Sequence, residues 1–300
     1  MRIAWTLALA ISVSLGLSAS TWSQSLPAGE VAAVKASPEV ASLVPQRIKD
    51  RGTLLVATMT KYQPYSYVVD GKLVGMIPEM VTAVAQTMGL KPEIATIDFP
   101  GILLGLQANK YDIGMGEFFV RKDRLEVADF VTEWSNFNAF IVNKDSAYLP
   151  EGLADVCGHK IAILAGSSGV PAMEVGKQRC SESGKPAPDV SSFPAMSDAV
   201  LALSSNRVDA VLTGREVGLT MIKSGQPFVA TGKVGGGPTA TAVARTEDSD
   251  GLLKAVQAAY LHLMQTGVYA DVHKRWGTDY GMIDNPTIYK KGDQPPVYAN

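Results

Sequence analysis

Leu106-Gln107-Ala108-Asn109-Lys110-Tyr111-Asp112-Ile113, running on to Gly116-Glu117, is written a second time 97 residues later. The second copy is Leu203-Ser204-Ser205-Asn206-Arg207-Val208-Asp209-Ala210, running on to Thr213-Gly214. Each copy reads as a helix end, an Asn-plus-basic turn, an Asp, and a short apolar run of the kind that forms a buried strand. A chain that builds one α/β unit twice has two lobes and therefore a cleft between them. Open α/β sheets take ligands beyond the carboxyl ends of their strands, so Glu117 and Gly214 are expected to point at that cleft.

The chain has 300 residues, enough for two cores, and is 46% hydrophobic and 19% charged. Its formal charge of −2 lacks the basic stripes that nucleic acid or an anionic membrane surface would call for. Arg2, the apolar run Ile3 to Leu17 and the small residues Ser18-Ala19-Ser20 read as a secretory signal over residues 1–23. That run is short of the ~20 residues a bilayer span needs, and no Cys lies near the cleavage zone to carry a lipid. A periplasmic location is expected. Export in turn makes a Cys157–Cys180 disulfide the natural expectation, worth roughly 3 kcal/mol for a loop of about two dozen residues. His159, His262 and His273 are scattered, and no Cys/His cluster has metal spacing, so neither a metal nor a cofactor is expected.

Residues 24–45 carry Pro27, Pro38 and Pro45 and read as a flexible extension, with order expected from Pro45 onward. Leu54–Ala57 reads as a buried strand, Asp70-Gly71 as a hairpin turn, and Pro78 as the first turn of a helix with an apolar face through Met88. Further helices are expected from Ile102 to Ala108, from the N-cap Ser197 through Leu203, over Val217 to Lys223, and over Leu252 to Met264. Residues from Pro286 read as a polar tail.

In their order, several stretches resemble the bacterial extracellular solute-binding proteins of family 3, the polar amino-acid receptors of ABC importers. They are Arg51-Gly52-Thr53-Leu54-Leu55-Val56-Ala57, Tyr62-Gln63-Pro64-Tyr65, Gly71-Lys72-Leu73-Val74-Gly75, Arg124 with Asp129-Phe130, Gly158 to Ser168, Asn206 to Val211, and Gly267 to Trp276. The resemblance implies a type II periplasmic binding protein fold, two α/β lobes joined by a two-strand hinge. Lobe 1 would hold residues 46–137 and 243–285, lobe 2 residues 138–242, and 286–300 the tail. A monomer that closes on an amino acid or amino-acid-like carboxylate and delivers it to an inner-membrane ABC permease is expected, not an enzyme. The alternative is a periplasmic enzyme on the same scaffold, similar to a cyclohexadienyl dehydratase. Cys157 and Cys180 stand where a subset of the family carries a disulfide.

The resemblance also assigns candidate ligand residues. Arg124, six before Phe130, stands where the family clamps the ligand's α-carboxylate, which suits a guanidinium fork. Ser168 precedes a helix and offers a hydroxyl and N–H groups to an anion. Tyr62 and Tyr65 stand where the family sets aromatics against the ligand. The Asp that usually neutralises the ligand's ammonium is Gly214 here, and the usual hydroxyl-rich series becomes Glu117-Phe118-Phe119-Val120-Arg121. On one reading Glu117 takes over the cation, with Phe118 and Phe119 suiting a bulkier or methylated amine. On the other, no ammonium is bound and Arg215 or Arg121 holds a second acid group.

Overall fold

The computed structural model describes residues 33–298, so the expected leader, the start of the extension and the final two residues lie outside it. In chain order the first part runs α1 (Pro38–Leu43), α2 (Gln46–Arg51), β1 (Thr53–Thr58), β2 (Tyr67–Val69), β3 (Lys72–Val74) and α3 (Met76–Thr87). It continues with β4 (Lys91–Thr96), α4 (Phe99–Gln107), β5 (Ile113–Phe119), α5 (Lys122–Leu125) and β6 (Asp129–Asn143). The second part comprises β7 (Lys160–Leu164), α6 (Gly169–Glu182), β8 (Asp189–Phe193), α7 (Met196–Ser204), β9 (Ala210–Gly214) and α8 (Arg215–Lys223). The chain then returns through β10 (Phe228–Val243), α9 (Ser249–Gln265), α10 (Val268–Trp276) and β11 (Ile288–Tyr289).

One sheet threads both lobes in the order β4-β1-β5-β10-β6-β9-β7-β8, with β11 added on β6. The β1–β4 and β1–β5 pairs are parallel in lobe 1, and β7–β8 and β7–β9 are parallel in lobe 2. Between them run the antiparallel strands β6 and β10, of 15 and 16 residues, which belong to both lobes. Their register slips between Thr231 and Val234 and again between Val234 and Gly237. Gly235, Gly236 and Gly237 fill that stretch with φ of 64°, 155° and 154°, a backbone that side chains resist. Ladder pairing is weakest there, so that is where the two strands bend as a hinge.

The repeated sequence has a physical cause in each lobe. Asn109 and Asn206 take φ of 53° and 54° just beyond α4 and α7, the left-handed conformation that Asn tolerates and that stops a helix. Asp112 and Asp209 then accept the Leu55 and Lys160 main-chain N–H groups, each at 2.8 Å, and so lock the incoming strand against its neighbour. The disulfide joins Cys157 to Cys180, whose side chain is fully buried in the lobe 2 core.

Three sequence expectations change. Order begins before Pro45: Pro38 sits in the first turn of α1, where its missing N–H costs nothing, Ser37 caps that helix, and Val40 and Val44 are buried. The helix expected from Ile102 starts at Phe99 with Pro100 in its first turn. Ala195, not Ser197, is the N-cap of α7. The polar tail packs on the body: β11 pairs Ile288 with Val131, and Tyr298 docks on Pro238.

Beneath the lobe 1 sheet lies a buried carboxyl, Glu133. It accepts the Thr241 hydroxyl at 2.6 Å and the Tyr260 hydroxyl at 2.9 Å. Burial pushes it up to about 7, against the pull of those two hydroxyls. A carboxyl whose folded value is raised stabilises the fold below its unfolded value of 4.5, and that stability is lost as pH climbs through 7. The effect amounts to about 3 kcal/mol. Melting temperatures are therefore expected to fall by several degrees from pH 5 to pH 8, and Glu133→Gln to remove its share of that fall, the rest coming from the likewise raised carboxyl of Glu117. An equal fall in the Gln variant would assign it to other groups.

Candidate ligand-binding site

The strand ends of both lobes meet at one cavity, as the repeat requires. Lobe 1 supplies Met59 beyond β1, Tyr62, Phe99 at the start of α4, and Gly116, Glu117 and Phe119 of β5. Lobe 2 supplies Leu164, Ser167, Ser168, Met196 at the start of α7, and Leu212, Thr213 and Gly214 of β9. Asn136 and Asn138 reach in from the hinge strand β6. Positions 97 apart both line it: Phe99 and Met196, Gly116 and Thr213, Glu117 and Gly214. The cavity measures about 30 Å³, room for roughly two waters, so the lobes stand closed.

Glu117 is the chemical centre of this cavity. Its φ of 57° places a charged residue in the left-handed region, strain of about 1–3 kcal/mol that a fold retains where it aims a side chain. Oε1 accepts the Asn136 amide at 2.7 Å, and that amide also donates to the Tyr65 hydroxyl at 3.1 Å. Oε2 is buried and takes no well-aligned hydrogen bond from any described residue, with the Tyr62 and Tyr65 hydroxyls close enough to pull on the carboxyl. Burial pushes the carboxyl up to about 8, against the pull of the Asn136 amide and the Tyr65 hydroxyl, while the buried Glu133 adds to the rise. The Tyr62 and Tyr65 hydroxyls are themselves raised by burial and by Glu117, so they stay neutral. Gly214 completes the cup from lobe 2. A Cβ there would lie 3.2 Å from Asn136 Nδ2, 3.3 Å from the Tyr62 hydroxyl and 3.5 Å from the Tyr65 hydroxyl.

The other sequence candidates fall into two groups. Ser168 is on the cavity wall, where its Oγ accepts Asn138 Nδ2 at 3.1 Å at the head of α6. Tyr62 and Phe119 are on the wall too, and Tyr65 backs Tyr62 at 5.2 Å between ring centres. Phe118 lies off the wall, fully buried and stacked on Phe99 at 4.8 Å. Arg124 also lies beside the wall rather than on it. It is buried over the Phe99 and Phe118 rings, at 5.4 and 5.2 Å, and donates to two main-chain carbonyls at 2.8 Å each. One carbonyl belongs to Phe119 of lobe 1 and the other to Gly166 of lobe 2, so the guanidinium links the lobes. Burial, with Arg121 nearby, lowers it to about 9. Arg215 is paired with Glu216 at 2.6 Å, and Arg121 with Asp123.

Asn136, Asn138, Thr213, Met59 and Met196 were not among the sequence candidates. Asn136 and Asn138 are two apart on a strand and so share a face, the signal that could have found them. Among the described residues no group of three His, Cys, Asp or Glu side chains could hold a metal ion, and no helix is long and apolar enough to cross a membrane.

Two lobes on one hinged sheet, closing over a buried cavity at their strand ends, define a receptor that encloses a small solute. Residues 54–279 match the bacterial extracellular solute-binding proteins, family 3, and the chain belongs to that family. It is 26% identical over 261 residues to an arginine-binding protein of Corynebacterium glutamicum, covering 84% of this chain and 83% of that one. An L-cystine-binding protein of Escherichia coli K12 is 24% identical over 233 residues, covering 77% and 84%. Among solved structures, an ancestral arginine-binding protein bound to arginine superposes with a TM-score of 0.68 at 28% identity, covering 75% of this chain and 98% of that one.

Proposed function

We propose that this chain is the periplasmic substrate-binding component of an ABC importer, that it captures an amino acid or amino-acid-like solute bearing a cationic group, and that it hands this solute to a membrane permease. One observation carries the choice of a cationic group: Glu117 Oε2, buried at the cavity with no well-aligned hydrogen bond from a described residue. A ligand ammonium or guanidinium supplies the missing partner and repays the burial of the carboxylate. The alternative of a second acid group loses ground because Arg121 and Arg215 already hold carboxylates. Ser167 and Ser168, on the wall at the head of α6, suit the ligand's carboxylate.

The test is a thermal-shift and calorimetric screen of L-arginine, L-lysine, L-cystine, octopine, glycine betaine and succinate. A cationic amino acid is expected to raise the melting temperature, by about 2.7 kcal/mol of stabilisation at 100 times Kd, and succinate to leave it unchanged. A screen in which succinate alone stabilises the protein would reverse the charge assignment. We read the chain as a receptor and not an enzyme, so prephenate incubated with it should remain unconverted.

A further inference from the structure

Next to the inner cavity, and sharing Phe119, Asn138 and Ser168 with it, lies a larger chamber of about 280 Å³. Its other walls come from Arg121, the one charged residue among the described residues of the lining, from the first turns of α6, from the hinge glycines and from the C-terminal segment. Most of that lining is apolar: Pro171, Ala172, Val175, Val234 and the rings of Phe119 and Tyr298.

Tyr298 is built into this place. Its hydroxyl donates to the Pro238 carbonyl at 3.0 Å and accepts the Val120 N–H at 2.7 Å, so it ties the tail to both β10 and the end of β5. Its ring meets Phe119 edge-on at 4.8 Å, close to perpendicular at 86°. The ring can sit there because residue 237 is glycine: a Cβ on Gly237 would come within 2.8 Å of it. Phe119 is thus a partition with the Glu117 cup on one side and an apolar chamber on the other.

We propose that this chamber is the second half of the ligand site: it takes an apolar or aromatic substituent of an amino-acid derivative, and Tyr298 is a specificity-determining wall. The inference rests on the receptor reading above and extends it from the cation to the rest of the solute. An inner cavity of about 30 Å³ holds little beyond a cationic head, whereas about 280 Å³ of apolar-walled space next to it accommodates a ring. Phe119, in a position where the family resemblance expects a hydroxyl, offers one face to each half.

Calorimetry with two matched pairs of probes tests this: L-arginine against Nα-benzoyl-L-arginine, and L-lysine against Nε-benzoyl-L-lysine. Each derivative keeps one cationic group for Glu117 and adds one aromatic substituent. In the wild-type chain at least one derivative is expected to bind as tightly as its parent or tighter. The affinity ratio of that derivative to its parent is expected to fall tenfold or more in Tyr298→Ala, and again in Ala172→Leu, which fills the chamber from α6 without touching the tail. Melting curves establish that both variants are folded. Parents that bind while both derivatives bind more than tenfold weaker would overturn this inference and leave the receptor reading intact, as would a ratio that neither variant moves. If none of the four compounds binds the wild-type chain, both fall.

Discussion

Arg124→Ala is expected to weaken solute binding roughly 10- to 100-fold and, at the same time, to lower the melting temperature of the ligand-free protein by several degrees. The two effects come from two hydrogen bonds. The bond to Phe119 stays within lobe 1 and contributes to the fold in every state, whereas the bond to Gly166 crosses between lobes and exists when they are closed. A hydrogen bond from a charged donor contributes about 1.5–3 kcal/mol, so losing the crossing bond moves the closed–open balance by about that much. Apparent affinity falls in proportion to the closed population. The other loss leaves the Phe119 carbonyl, part of a buried wall, short of its donor. A guanidinium that gripped only the ligand would give a different result, a large loss of affinity with the melting temperature of the ligand-free chain unmoved. Arg124→Lys separates the effects further, because an ammonium lacks the planar fork that reaches two carbonyls at once. Small-angle scattering should show the ligand-free Ala variant more open than wild type. An affinity within twofold of wild type would remove Arg124 from the closing mechanism.

The parts of this molecule that the sequence disclosed are those whose physics is written in side chains. The repeat at Asn109 and Asn206 and at Asp112 and Asp209 was legible because a left-handed helix stop and a strand-locking carboxylate each demand a particular residue type. Glu117 stood out because it ends the first repeated strand and opens the series where the chain departs from the family it resembles. What stayed hidden depends on backbone. Nothing in the sequence tells that Arg124 donates to the carbonyls of Phe119 and Gly166, because every residue carries a carbonyl. The length of strands β6 and β10 stayed hidden, since neither Gly232 to Gly237 nor Thr132 to Asn138 shows a regular apolar alternation. The docking of the polar tail stayed hidden for a related reason. One of its anchors, Tyr298, finds its seat on Gly237, and no periodicity connects positions so far apart.

Glu117→Gln is expected to cost 100-fold or more in affinity for a cationic solute at pH 8 and to abolish the pH dependence of binding. In the ligand-free protein the carboxyl, pushed up to about 8 by burial, is mostly protonated at pH 6. A cation binds the ionised form, so binding must expel that proton. Affinity should therefore rise about tenfold per pH unit between 6 and 7 and level off above 8. Calorimetry in buffers of different ionisation enthalpy should record close to one proton released at pH 6.5 and almost none at pH 9. Of the titratable groups around the carboxyl, Tyr62, Tyr65 and Tyr280 are raised far above this window, whereas Glu133, at about 7, titrates inside it and pushes Glu117 up, so the same titration in Glu133→Gln isolates the Glu117 contribution. Breaking a buried charge pair by removing one partner costs about 3–5 kcal/mol, the source of the expected loss. Gly214 offers the decisive control, because its missing Cβ points at the same Tyr62, Tyr65 and Asn136 groups that surround Glu117. Gly214→Asp alone would set two carboxylates in one small cup and should weaken binding through their repulsion, most severely at high pH. Combined with Glu117→Gln, the same Asp replaces the lost charge from the opposite lobe, and affinity should recover at least tenfold over the Gln single variant. Recovery in the double variant with loss in each single one requires that the cup bind a cation. Equal affinities across pH 6 to 8 in the wild type would show that it does not.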